Sequence, residues 1–189
     1  KVIHARLLFR KPTGSVIEIF CLEPWQMPVA TAFEQRRHST WICFIGNNKK
    51  WKGDTLSRSL TIDGEEVTLT ATRKEAITNA WIVDLDWDSD HSLSEIIDIA
   101  GVIPLPPYLH RDAEENDKQR YQTIYAIHEG SVAAPTAGLH FTDNVMKQLK
   151  DNHFDTEFIT LHVGAGTFKP VSSETIGEHE MHVEKVQIS

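Results

Sequence analysis

The sequence predicts an α+β chain, a small antiparallel β domain (barrel or sandwich) followed by a segment of mixed helix and strand. Three observations predict it. Residues 1–90 hold six short runs rich in β-branched and aromatic side chains, separated by turn residues. Two of these runs are joined by Asp63-Gly64, residue types that tolerate the positive φ of a two-residue hairpin. Near Asp90 the texture changes to a capped helical pattern and then to segments broken by proline and glycine. The first domain is therefore placed at 1–90 and the second at 91–189.

Taken in order, the expected strands are 3–9, 16–22, 40–45, 55–62, 65–72 and 80–87. Glu66-Val67-Thr68-Leu69-Thr70-Ala71 alternates with period two, which suits a strand buried on one face. Pro24 and Pro28 make 23–33 a long, irregular connection. Ser92-Leu93-Ser94-Glu95 places a capping box ahead of Ile96, Ile97, Ile99 and Ala100, and Gly101 stops that helix. Leu105-Pro106-Pro107-Tyr108 is expected to be extended, since proline excludes the helical region at the preceding residue. Residues 114–126 read as a helix with Tyr121, Ile124 and Tyr125 on one side. Thr142-Asp143-Asn144 starts another helix ending near Asp151, and 156–163 read as a buried strand.

A chain of 189 residues with 40% hydrophobic and 24% charged content is ordinary for a globular protein. No apolar run is long enough for a membrane-spanning helix. The opening Lys1-Val2-Ile3-His4-Ala5-Arg6 has no signal core and no initiator Met, and both ends fall within strand-like alternation, so an internal fragment is expected. Two cysteines, Cys21 and Cys43, make neither a disulfide framework nor a four-ligand zinc site. Buried thiols in a reducing, cytoplasmic setting are the expectation. Net charge is −8, which argues against nucleic acid until its distribution is counted. Residues 1–90 carry 12 basic and 12 acidic side chains, and 91–189 carry 7 and 15. Between Arg36 and Lys74 the balance is 8 basic to 4 acidic, a local field able to meet phosphates.

Lys49-Lys50-Trp51-Lys52 falls on a loop between strands, where lysines could hold phosphates and Trp51 could stack on a base. A solvated hairpin tip is the competing reading, for this cluster as for Arg36-Arg37-His38 and Arg73-Lys74. Gly164-Ala165-Gly166 follows a strand, but Lys169 stands where a dinucleotide loop needs its third glycine and Pro170 prevents an immediate helix. A turn open to close ligand approach survives that test. His179-Glu180-Met181-His182 spaces its histidines three apart, where a zincin needs four. The segment Gly130-Ser131-Val132-Ala133-Ala134-Pro135-Thr136-Ala137-Gly138-Leu139-His140-Phe141 is neither strand nor helix in pattern. Its small residues let backbone approach a ligand, and Thr136 and His140 supply side-chain donors; a tight buried crossover is the alternative.

That segment closely resembles a signature of the S-adenosylmethionine:tRNA ribosyltransferase-isomerase family of queuosine biosynthesis. The resemblance continues in order through Leu105-Pro106-Pro107-Tyr108, Arg120-Tyr121-Gln122-Thr123-Ile124-Tyr125-Ala126, residues 159–171 and His179-Glu180-Met181-His182. Val2-Ile3-His4-Ala5-Arg6-Leu7 also looks like the family's early strand, with His4 where a proline is usual. The resemblance implies a small antiparallel β-barrel domain joined to part of a larger mixed α/β domain. It implies ribosyl transfer from S-adenosylmethionine to 7-aminomethyl-7-deazaguanine at the wobble position of tRNA, followed by isomerisation to epoxyqueuosine, with release of adenine and methionine. A monomer with no resident metal is implied too.

The chemistry asks for a base near the sulfonium-acidified ribose carbon and an acid for departing adenine, which points to His140 and His162. Tyr121 and Arg120 would hold a carboxylate, a phosphate or the leaving base. Thr136 and Thr167 would orient ribose hydroxyls, with Gly138, Gly164 and Gly166 lining the cofactor side. Lys49, Lys50, Trp51, Lys52, Arg36 and Arg37 would face RNA. Two further readings are an RNA-binding module without activity and a metal-dependent hydrolase using His162, His179 and His182.

Overall fold

The computed structural model describes residues 1–53, 55–164, 166, 175, 177 and 184–187. Their chain divides into two compact units, Ile3–Pro104 and Lys1–Val2 with Leu105–Ser189.

In the first unit the strands are β1 (Arg6–Arg10), β2 (Val16–Pro24), β3 (His38–Gly46), β4 (Leu56–Ile62), β5 (Glu65–Ile77), β6 (Ala80–Trp87) and β7 (Gly101–Val102). All six runs expected in the first ninety residues are strands. Together with β7 they form one antiparallel seven-stranded sheet in the order β4-β5-β6-β3-β2-β1-β7. The sheet curls into a half-barrel, so that β4 at one edge touches β1 near the other. Period-two patterning drives the curl, because alternate residues such as Leu7, Phe9, Ile17, Ile19, Leu69 and Leu85 must share one dry interior. Each such side chain contributes about 1.5–3 kcal/mol on burial.

The hairpin between β4 and β5 turns on Asp63 (φ 51°) and Gly64 (φ 86°), the geometry expected of this dipeptide. Two register shifts, between Cys21 and Glu23 and between Arg73 and Ala76, bend their strands. The 23–33 connection is more regular than expected, for a short helix α1 (Val29–Glu34) follows Pro28. Proline there leaves no N–H to satisfy ahead of the first turn. Cys21 and Cys43 are cross-strand partners, both buried and free, with their sulfurs 3.9 Å apart. Burial, chiefly, and the neighbouring thiol push Cys43 well above its ordinary range.

Helix α2 (Leu93–Ala100) starts on the expected box: the Ser92 hydroxyl accepts from the Glu95 amide, and the Glu95 carboxylate accepts from the Ser92 amide at 2.7 Å. Its Leu93, Ile96, Ile97 and Ala100 are buried, one face at helical spacing against β1 and β4. The helix stops at Gly101 as expected, for a different reason. Gly101 is extended (φ −92°), and a Cβ there would lie 1.9 Å from the His4 carbonyl oxygen. Space, not a left-handed conformation, demands glycine.

The second unit holds α3 (Asp117–Arg120), α4 (Asp143–Asp151), β8 (Thr160–His162) and β9 (Lys185–Gln187). Helix α4 matches expectation, with the Thr142 hydroxyl accepting from the Val145 amide. The helix expected over 114–126 shrinks to one turn. The Asp117 carboxylate accepts from the Glu114 amide, and Gln122 leaves the helix to pair both backbone groups of Val2 at 2.8 Å. The strand expected over 156–163 shortens to β8 and is not buried, with Ile159 62% and Leu161 41% exposed. Among the described residues β8 pairs only with β9, antiparallel. Leu105-Pro106-Pro107-Tyr108 is not extended throughout, since a 3-10 turn spans Pro107–Leu109. No helix among the described residues is long and apolar enough to cross a membrane.

Candidate functional site

Small residues place the segment 130–141. Ser131, Val132, Ala133 and Ala134 are buried, and the chain then rises to an exposed 3-10 turn, Thr136–His140. Both Thr136 and His140 are exposed on that turn, while Gly138 between them is buried. A Cβ on Gly138 would lie 2.4 Å from the Tyr125 hydroxyl and 2.9 Å from Thr123 Cγ2, so only glycine lets the turn sit down. Phe141 closes it edge-on to Tyr125, ring centroids 6.3 Å apart.

The same segment is tied to the strand carrying the second candidate histidine. The Val132 amide donates to the Val163 carbonyl at 2.9 Å, and the Val163 amide donates to the Ser131 hydroxyl at 3.1 Å. Ser131 is itself fixed by its amide on the Lys1 carbonyl at 3.1 Å. These bonds join the start of the 130–141 segment to Val163, the residue after β8, whose last residue, His162, is half-buried. The Gly164 amide, expected to be open to a ligand, donates to Glu184 Oε2 at 2.7 Å. Glu184 was not legible as a site residue. Only its place inside an alternating run marked it, and a carboxylate facing a glycine amide requires the tertiary fold.

Tyr121 is buried beneath this segment. Burial pushes its phenol up, partly offset by a backbone hydrogen bond from Ala134, so the group stays protonated and neutral. Arg120, at the end of α3, is exposed. Nearby, Asp117 is 4% exposed and accepts from Arg111 Nη1 and Nη2 at 2.6 and 2.8 Å. The Arg111 bonds chiefly, and the Glu114 amide, hold Asp117 well below the usual carboxylate range. Of the remaining candidates, Gly166 is described, whereas Thr167, His179, Glu180, Met181 and His182 lie outside the described residues. Among the described residues no group of three or more His, Cys, Asp or Glu could hold a metal ion.

The basic candidates divide. Lys49, Lys50 and Lys52 are exposed around a 3-10 turn entered through Asn47 (φ 56°). Trp51 is a correction: at 2% exposure it cannot stack on a base. The Arg73 guanidinium lies over its ring at 5.3 Å and over the Trp81 ring at 4.5 Å, while donating to the Trp51 carbonyl at 3.0 Å. Arg73 is thus a structural clamp for the lysine turn. Arg36 donates to the Asp90 carbonyl, and Arg37 pairs with the Asp90 carboxylate at 2.8 Å. Both arginines thus hold Asp90, just past β6, and both remain exposed.

The comparisons with known proteins extend over the whole chain. A family model described as "Queuosine biosynthesis protein" matches residues 1–189. Proteins named S-adenosylmethionine:tRNA ribosyltransferase-isomerase match from Chlorobaculum parvum (strain DSM 263 / NCIMB 8327), 41% identical over 97% of this chain and 48% of the relative. Another, from Francisella tularensis subsp. tularensis (strain SCHU S4 / Schu 4), is 39% identical over 100% of this chain and 49% of its own. A third, from Nostoc sp. (strain PCC 7120 / SAG 25.82 / UTEX 2576), is 35% identical over 100% and 48%. The chain spans about half the length of the curated relatives it matches. No solved structure matches.

Proposed function

This chain belongs to the queuosine biosynthesis protein family, and on that premise we propose that it serves ribosyl transfer and isomerisation from S-adenosylmethionine onto 7-aminomethyl-7-deazaguanine in tRNA. The products are epoxyqueuosine-tRNA, adenine and methionine. The observation that supports the reading is the pairing of Ser131 and Val132 with Val163, which ties the start of the small-residue segment leading to His140 to the residue that follows His162. The unit containing Leu105–Ser189 is assigned to part of a larger mixed α/β catalytic domain.

In this assignment the sulfonium acidifies the adjacent ribose carbon, and one of His140 and His162 removes its proton. The other protonates adenine as it leaves, a division suited to imidazoles because they carry either state near neutrality. Neutral Tyr121 donates a hydrogen bond and Arg120 supplies a planar donor fork to a carboxylate or phosphate. Thr136 and Thr167 orient ribose hydroxyls and Gly166 lets the ligand approach backbone, while Gly138 acts indirectly by letting the turn pack on Tyr125 and Thr123. Gly164 acts indirectly in this reading, because its amide is already held by Glu184. Exposed Lys49, Lys50 and Lys52 meet tRNA phosphates.

In a complete enzyme of the family, His→Ala at the positions of His140 and His162 is expected to slow turnover at least about a hundredfold for one of them. Near-normal rates in both variants would end the acid–base assignment. A second reading, an RNA-binding module that needs a further segment for catalysis, is favoured by the lysine turn. Calorimetric titration of this chain with S-adenosylmethionine separates the two. Heat of binding places the cofactor pocket within these residues, and its absence leaves the RNA-binding role.

A further inference from the structure

The half-barrel has a seam, and two arginines line it. A groove of about 440 Å³ runs there between Arg10, Arg58 and Ser57 on the polar side and Leu8, Val16 and Val102 on the apolar side. Arg58 is fixed by Nη1, which donates to the Ala100 carbonyl at 2.7 Å and the Leu8 carbonyl at 3.3 Å. Its other guanidinium nitrogens make no hydrogen bond among the described residues. The side chain of Arg10, an exposed residue, makes no ion pair or hydrogen bond among the described residues. Among the described residues no acidic side chain lines the groove. Lys11, next along the chain, donates to the Lys50 carbonyl at 3.2 Å, so the arginines run on into the turn of Lys49, Lys50 and Lys52.

We propose that this seam groove binds the phosphodiester backbone of an RNA strand, with Arg10 and Arg58 on a phosphate and the strand continuing over the lysine turn. The proposal rests on the RNA part of the proposed function and names a site for it that the basic sequence clusters did not. Planar guanidinium forks match phosphate oxygens bidentately, and the apolar floor of Leu8, Val16 and Val102 suits the adjoining sugar or base. A polynucleotide is favoured over a free nucleotide because the positive charge extends beyond the groove, rewarding a ligand with several phosphates. Overall charge gives no such attraction, being −8.

The test is fluorescence anisotropy of a short labelled RNA stem-loop with the 189-residue chain, titrated between about 50 and 200 mM salt. Arg10→Ala removes an exposed, unpartnered side chain and should leave folding unchanged, as circular dichroism will verify. It is expected to weaken binding several-fold and to lower the salt slope by about 0.7–0.9, the loss of one phosphate contact. Arg10→Glu should weaken it further, and Arg10→Lys should restore much of the slope. Lys147→Ala on α4 makes the same charge change elsewhere and should leave the slope alone. Equal effects of Lys147→Ala and Arg10→Ala would mean bulk charge alone and overturn the site. So would displacement of the RNA by millimolar mononucleotide or inorganic phosphate. If the wild type binds RNA and Arg10→Ala binds equally, the groove fails while the RNA reading stands. If the wild type binds none, both fail.

Discussion

Asp117 shows how a single residue can carry structure that its neighbours in sequence do not announce. Its carboxylate takes both Arg111 nitrogens and the Glu114 amide, and those bonds fix where the single turn of α3 begins. The folded-state value lies below the ordinary 3.8, so the ionised form is favoured by folding. By linkage this stability is fully present above about pH 3.8 and is lost as pH falls from there through the folded value. Asp117→Asn is therefore expected to flatten the acid limb of a melting-temperature profile while changing little of its shape above pH 5, about a unit above the carboxylate range. An unchanged acid limb would show that the pair does not couple to folding. Trp51 teaches the complementary lesson. An aromatic among lysines reads as a stacking platform, yet Arg73 reaches it from β5 and turns it into core.

At the scale of elements, Gly101 decides how α2 meets β1. The helix ends, the chain becomes β7, and that strand pairs with Arg6 and Leu7 while His4 crosses close behind it. His4 Nδ1 also lies 3.0 Å from the Asp98 carbonyl, so the same crossing is hydrogen-bonded to the helix end. Gly101→Ala would put a methyl against backbone carbonyls of His4 and Ile97, neither of which can swing aside. A destabilisation of about 3 kcal/mol or more is expected, by the overpacking and strain that produce the largest single-site losses. Gly64→Ala, strained but in open space, should cost only about 1 kcal/mol. Urea denaturation of the two variants side by side checks the order. Reversal of that order would mean β1 and α2 can separate without cost.

At the scale of the whole molecule, the unit Ile3–Pro104 is a half-barrel held curled by bonds across its seam as well as by its apolar interior. Arg58 on β4 binds the last carbonyl of α2 and a carbonyl of β1, joining three elements through one guanidinium nitrogen. It also satisfies a helix C-terminal carbonyl that no intrahelical amide can reach. Arg58→Ala is expected to lower stability by about 1.5–3 kcal/mol, the range for hydrogen bonds to a charged group. Amide exchange should quicken at β4 and β1 before it does at β3 and β6. Uniform exchange across the sheet would show that the seam is held by apolar packing instead.

Much of this protein was legible in order of residues. Six strands, the Asp63-Gly64 hairpin, the Ser92–Glu95 box and the Thr142 cap follow from period, turn chemistry and capping, all of which act over a few neighbouring residues. The motif series 105–182 likewise pointed to the family that the comparisons identify. The candidate site was legible as segments but not as an arrangement. What joins 130–141 to β8 is a set of bonds between Ser131, Val132 and Val163, some thirty residues apart. Tertiary structure alone decided that Trp51 is core, that Arg36 and Arg37 are tied to Asp90, that Glu184 occupies the Gly164 amide and that Arg10 and Arg58 share a groove. The physical reason is one of range. Backbone propensity and periodicity are written within a turn or a strand, whereas burial and the pairing of a charge depend on partners that only folding brings near.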